Sequence, residues 1–116
     1  MGIFGSVSSK QVDEFAKSLA QELAERWPPD ALKRGEKKYS PERLVSSLDG
    51  IFGKAVGYKN QHKLGIYKKA RLGNTFRWEL EALGYEKAFI EDVTQRLVVY
   101  VARKDTVPAK SQTLRS

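Results

Sequence analysis

The 116-residue chain contains no cysteine. That absence removes disulfides, thiolate metal sites and cysteine nucleophiles together. It suits a reducing compartment, although exported chains can lack the residue too. Histidine is nearly as scarce. His62 stands alone, too little for a histidine metal site, and nothing near it in sequence supplies a catalytic partner. A surface or capping role is expected of it. Long apolar runs are missing as well: no stretch approaches the ~20 residues of a membrane span. Met1 to Ser9 lacks the basic start and apolar core of a secretory signal, so a cytoplasmic location is expected. Met1-Gly2-Ile3-Phe4-Gly5-Ser6 formally matches the myristoylation pattern. The pattern is loose, and a start whose Ile3 and Phe4 pack on the domain is the expected reading.

Chemical motifs are also lacking. Gly53-Lys54 and Gly73-Asn74-Thr75 do not have the Walker spacing of a phosphate loop. Glu79, Glu81, Glu86, Glu91 and Asp92 cluster, but with the spacing of neither a calcium loop nor a paired di-metal helix motif. They are expected to form an acidic face that answers basic residues elsewhere. The reading therefore assigns no catalytic residue, no metal ligand and no cofactor, and expects a non-enzymatic domain.

What the chain does contain is helical periodicity. Ser8 and Gln11 have capping-box spacing. Val12, Phe15, Ala16, Leu19, Ala20, Leu23, Ala24 and Trp27 then recur on one face until Pro28-Pro29 stops the run. Residues 28–39 read as a polar connection with room for one helical turn near Asp30 to Lys33. Ser40-Pro41-Glu42 is a strong helix start, followed by an apolar face of Leu44, Val45, Leu48, Ile51, Phe52, Ala55 and Val56. Asn60 can cap a third helix that Gly73 would end, though its apolar residues scatter around the wheel. Asn74 or Thr75 can cap a short fourth helix ended by Gly84. Phe89, Ile90, Val93, Leu97, Tyr100 and Val101 keep helical spacing; residues 97–101 would also suit a buried strand, and continuity of the pattern favours helix.

The expectation is an all-α fold, a small orthogonal bundle of four to five helices at about 9–27, 41–57, 60–72, 75–83 and 86–103. The first, second and last should supply most of the core, with the central pair carrying the basic surface. Residues 1–104 would form a single helical domain and 105–116 a flexible tail, polar and poor in core formers.

Charge is distributed unevenly. The formal net charge is +7. Residues 1–49 hold eight Lys/Arg and eight Asp/Glu, and residues 79–116 hold six of each. Between them, residues 50–78 carry Lys54, Lys59, Lys63, Lys68, Lys69, Arg71 and Arg77 with no acid. Such a segment is the footprint of a protein that meets phosphates or an acidic partner, and Tyr58, His62, Tyr67 and Trp78 are interleaved with it. The bland alternative is a solvated basic face with its aromatics in the core. Lys68 to Gly84 also imitates a helix-turn-helix with its turn at Gly73-Asn74. However, Lys68, Lys69 and Glu79 occupy positions where that motif needs apolar residues.

Two further features stand out on the helical wheel. Ser46, Gly50, Gly53 and Gly57 fall within roughly 60° of one another. Such a strip suits a tight helix crossing inside the domain, or else self-association. Trp78 lies opposite Phe76, Leu80 and Leu83. Burial against a neighbouring helix is expected of it; exposed, it would be a partner anchor. The functional expectation is non-catalytic binding of an anionic partner, with nucleic acid leading. Lys59, Lys63, Lys68, Lys69, Arg71 and Arg77 would contact phosphate, without high sequence specificity. The competing expectation is a protein-interaction or regulatory module that binds an acidic protein or forms a homodimer.

Overall fold

The structure, a computed structural model, describes residues 7–35 and 39–103. The myristoylation-like segment and the tail at 105–116 lie outside the described residues. Within them the fold is all-α: α1 (Ser9–Arg26), α2 (Pro29–Lys33), α3 (Pro41–His62), α4 (Ile66–Leu83) and α5 (Lys87–Ala102). Residues 97–101 belong to α5 and are helical.

The helix starts follow local chemistry. The Ser8 hydroxyl accepts from the Gln11 amide at 3.1 Å, and the Gln11 side chain accepts from the Ser8 amide at 2.9 Å. Two orphan donors of the first turn are thereby satisfied. At α3 the Ser40 hydroxyl accepts from the Arg43 amide at 3.3 Å, with Pro41 in the first helical position. Gly84, at φ 97°, ends α4 in the left-handed region that glycine enters without steric cost.

The four long helices close into a ring. α1 packs on α4, α4 on α5, α5 on α3, and α3 back on α1. Buried apolar faces line the interior: Val12, Ala16, Leu19, Ala20 and Leu23 from α1; Leu48, Ile51, Phe52 and Ala55 from α3; Leu72, Phe76 and Leu80 from α4; Ile90, Val93, Leu97 and Val101 from α5. Phe52 reaches across the ring to Phe76, edge to face at 5.8 Å, and also meets Tyr100 at 5.5 Å. The α4–α5 connection is tied to the end of α1 by the Tyr85 hydroxyl, which donates to the Trp27 carbonyl at 2.6 Å.

The centre of the chain differs from the sequence expectation. Helices at 60–72 and 75–83 are not separate. α3 runs through Asn60 to His62, and α4 passes through Gly73-Asn74 without a turn. Gly73 serves a close approach: a Cβ there would lie 2.9 Å from Cγ2 of Val98 on α5. Thr75 does not cap a helix; its hydroxyl donates to Asp13 at 2.7 Å. The continuous helix removes the turn that a helix-turn-helix would need. It also makes α4 a full contributor to the core instead of only a carrier of basic surface. No described helix is long and apolar enough to cross a membrane.

Candidate anion-binding surface at the α3–α4 corner

The residues expected to contact phosphate are in different situations. Lys59 is 3% exposed and its ammonium donates to the Arg103 carbonyl at 2.7 Å. It thus answers the negative end of α5. Lys68 donates to the Val7 carbonyl. Arg71 forms a two-pronged pair with Asp13, at 2.9 Å from Nε and 2.8 Å from Nη2, and donates through Nη1 to the Tyr67 hydroxyl at 3.1 Å. Arg77 makes a longer contact, 3.5 Å, with Glu91 across to α5. Four of the six cations therefore hold the fold together, and Lys59 is corrected from surface contact to buried anchor. Lys54 likewise pairs with Glu22 at 2.9 Å.

Lys63 and Lys69 remain, and neither makes an ion pair among the described residues. With Lys59, Asn60 and Leu64 they line a shallow depression of about 330 Å3 where α3 hands over to α4. Among the described residues no carboxylate lines it. Lys63 itself ends α3 in the left-handed region, at φ 51°. α4 starts immediately beyond, with no side-chain cap and no acid in its first turn. Its first amides add positive potential to the corner.

The Asp13 cluster shows how the rest of the charge is absorbed. The Arg71 fork holds the Asp13 carboxyl below the ordinary carboxylate value of 3.8; partial desolvation opposes this and the Thr75 hydroxyl assists. The same pair, with Tyr67, pushes the Arg71 guanidinium further up. The acidic residues that answer the basic segment are therefore chiefly Asp13 and Glu22 of α1. Of the cluster 79–92, Glu91 reaches Arg77, whereas Asp92 turns to Arg96 on its own helix at 3.3 Å.

Trp78 is not buried. It is 65% exposed, as is Tyr67, and both lie along the outer face of α4. Together with Ala70, Arg71, Asn74 and Thr75 they line an open depression of about 530 Å3. Tyr67 was not singled out as a site residue in the sequence. The signal was present: eleven residues separate it from Trp78, which places the two about 20° apart on one helix. Reading 66–83 as two helices hides that spacing. His62 is half-buried in the last turn of α3, its ring 4.6 Å from that of Tyr58, which stacks on Phe15 at 3.9 Å.

The small-residue strip lies outside the bundle. Ser46, Gly50, Gly53 and Gly57 are exposed, and a Cβ at any of the three glycines would meet nothing within 4 Å. No helix crosses there in the described residues. These residues also contain no group of three or more His, Asp or Glu able to hold a metal ion. No family model matches the chain, and neither a curated protein nor a solved structure matches it.

Proposed function

We propose that this domain is a non-catalytic module that binds an anionic partner, with nucleic acid the leading candidate, at the α3–α4 corner. One observation carries the reading. Lys59, Lys63 and Lys69 line a depression that, among the described residues, no carboxylate lines, inside the 50–78 segment that holds no acid. A phosphate-bearing chain is the partner whose charge matches such a surface, and a cytoplasmic setting goes with it. Lys63 and Lys69 are the contacting residues in this proposal. Lys68 and Arg71 support them by holding α4 against the chain preceding α1 and against α1 itself.

A salt titration of nucleic-acid binding tests the reading. The logarithm of affinity should fall linearly with the logarithm of salt concentration, and Lys63→Glu with Lys69→Glu should reduce the slope by about two. Absence of binding even at low salt would remove the proposal. A homodimeric interaction module using Ser46, Gly50, Gly53 and Gly57 is the second reading, favoured by the open exposure of that strip. Sedimentation of the wild type beside Gly53→Leu tests it; a monomer at every concentration removes it.

A further inference from the structure

The outer face of α4 carries its exposed rings at a regular spacing. Soluble domains scatter single exposed hydrophobics without consequence, but Tyr67 and Trp78 are each 65% exposed and share one side of a single helix. Tyr67, Arg71, Asn74 and Trp78 follow one another at intervals of four, three and four residues. That is the seam spacing of two packed helices. All four line the same open depression, flanked by the small side chains of Ala70 and Thr75. The charge on this seam is already answered. Arg71 is paired with Asp13 at 2.9 and 2.8 Å, and its third contact goes to the Tyr67 hydroxyl. Covering the face therefore strands no charge on these four residues.

We infer that the outer face of α4 is the contact surface of an isologous dimer, in which α4 packs antiparallel on α4 of a second copy. The face selects that occupant because it matches itself. When the helix is turned end over end about a two-fold axis level with Leu72 and Gly73, the four seam positions fall on one another. Tyr67 of each copy comes opposite Trp78 of the other, and Arg71 comes opposite Asn74. Each contact thus occurs twice, as a two-fold interface requires. The outer pairs set aromatic on aromatic. The central pairs set a guanidinium against a carboxamide oxygen: Asp13 and Tyr67 take three of the Arg71 N–H groups and leave two to donate. A polar layer inside an apolar seam holds one register. In a parallel pairing the two Arg71 guanidiniums would instead face each other. The area is that of a reversible contact. The four rings withdraw about 500 Å2 from water, and the helix surface between them brings the total to about 1,000 Å2, where specific interfaces begin. Monomer and dimer should exchange at micromolar or higher concentration. The inference stands apart from the anion-binding reading and from the small-residue strip of α3.

Trp78 reports its own burial, because the other tryptophan, Trp27, is already only 4% exposed and packs against Tyr39. Sedimentation of the wild type should show a concentration-dependent dimer, with a blue shift of tryptophan emission over the same range. Both should change little with salt, unlike phosphate binding at the lysine corner. Trp78→Ala should raise the dissociation constant at least about 10-fold while its circular-dichroism spectrum stays that of the wild type. Gly53→Leu should leave this association unchanged. The chain has no cysteine, so introduced thiols read the register. Tyr67→Cys mixed with Trp78→Cys should oxidise to a disulfide-linked pair that keeps one ring contact intact. Neither should link alone, since its two thiols would stand about 16 Å apart along the helix. A monomer up to about 1 mM, or wild-type association in Trp78→Ala, would overturn the dimer at this face. Self-linking of either cysteine variant alone would overturn the antiparallel register.

Discussion

Asp13 is half-exposed at the seam between α1 and α4, where Arg71 and Thr75 converge on its carboxylate. Because the folded carboxyl is held below 3.8, ionisation favours the folded state. This contribution is present at pH above 3.8 and is lost as pH falls through the lower value of the folded protein. Asp13→Asn should therefore melt at a lower temperature than the wild type near neutrality, and the gap should narrow in acid. Circular-dichroism melts across that range check it; a gap independent of pH would assign the role of Asp13 to something other than its charge. Each basic residue of the segment has the same charge in the sequence, but among the described residues only Lys63 and Lys69 make no ion pair or hydrogen bond through it. The composition made the 50–78 concentration legible. Which cations were already engaged was not, because Asp13 and Arg71 meet across 58 positions of chain.

At the scale of the helix, glycine carries two opposite meanings in this protein. Gly50, Gly53 and Gly57 sit in α3 with open space around them, and alanine at each should stabilise the fold by up to about 1 kcal/mol through helix propensity alone. Gly73 sits in α4 with Val98 Cγ2 in the way of any Cβ. Gly73→Ala should gain less than Gly53→Ala, and pairing it with Val98→Ala should restore the difference. Denaturant unfolding of Gly53→Ala, Gly73→Ala, Val98→Ala and the Gly73→Ala/Val98→Ala double variant measures this directly. The helix-forming pattern of α1, α3 and α5 was legible because each shows an apolar face at helical spacing, and α1 and α3 also have strong end signals: Ser8 and Pro28 for α1, Ser40 and Pro41 for α3. α4 was not, because Gly73-Asn74 has the composition of a helix end and the buried Leu72, Phe76 and Leu80 straddle it. Periodicity reports spacing, and it cannot say whether a glycine marks a turn or a neighbour's approach. The Tyr67–Trp78 face was hidden for that same reason.

For the molecule as a whole, the ring of four helices places α4 between α1 and α5, so one helix gives its inner side to the core and its outer side to solvent. The all-α architecture follows from apolar periodicity together with caps. The lysine corner depends on how the end of α3 turns into α4, and that geometry is set by Lys63. A non-glycine residue at φ 51° costs roughly 1 kcal/mol relative to a backbone at ease there. Lys63→Gly should accordingly raise thermal stability by about that amount while removing one cation from the corner and lowering the salt slope by about one. Melting curves and salt titrations of this single variant should move in opposite directions. A library randomised at position 63 would then give different survivors under different regimes: growth at high temperature alone should enrich glycine, and a requirement for ligand capture should return lysine or arginine.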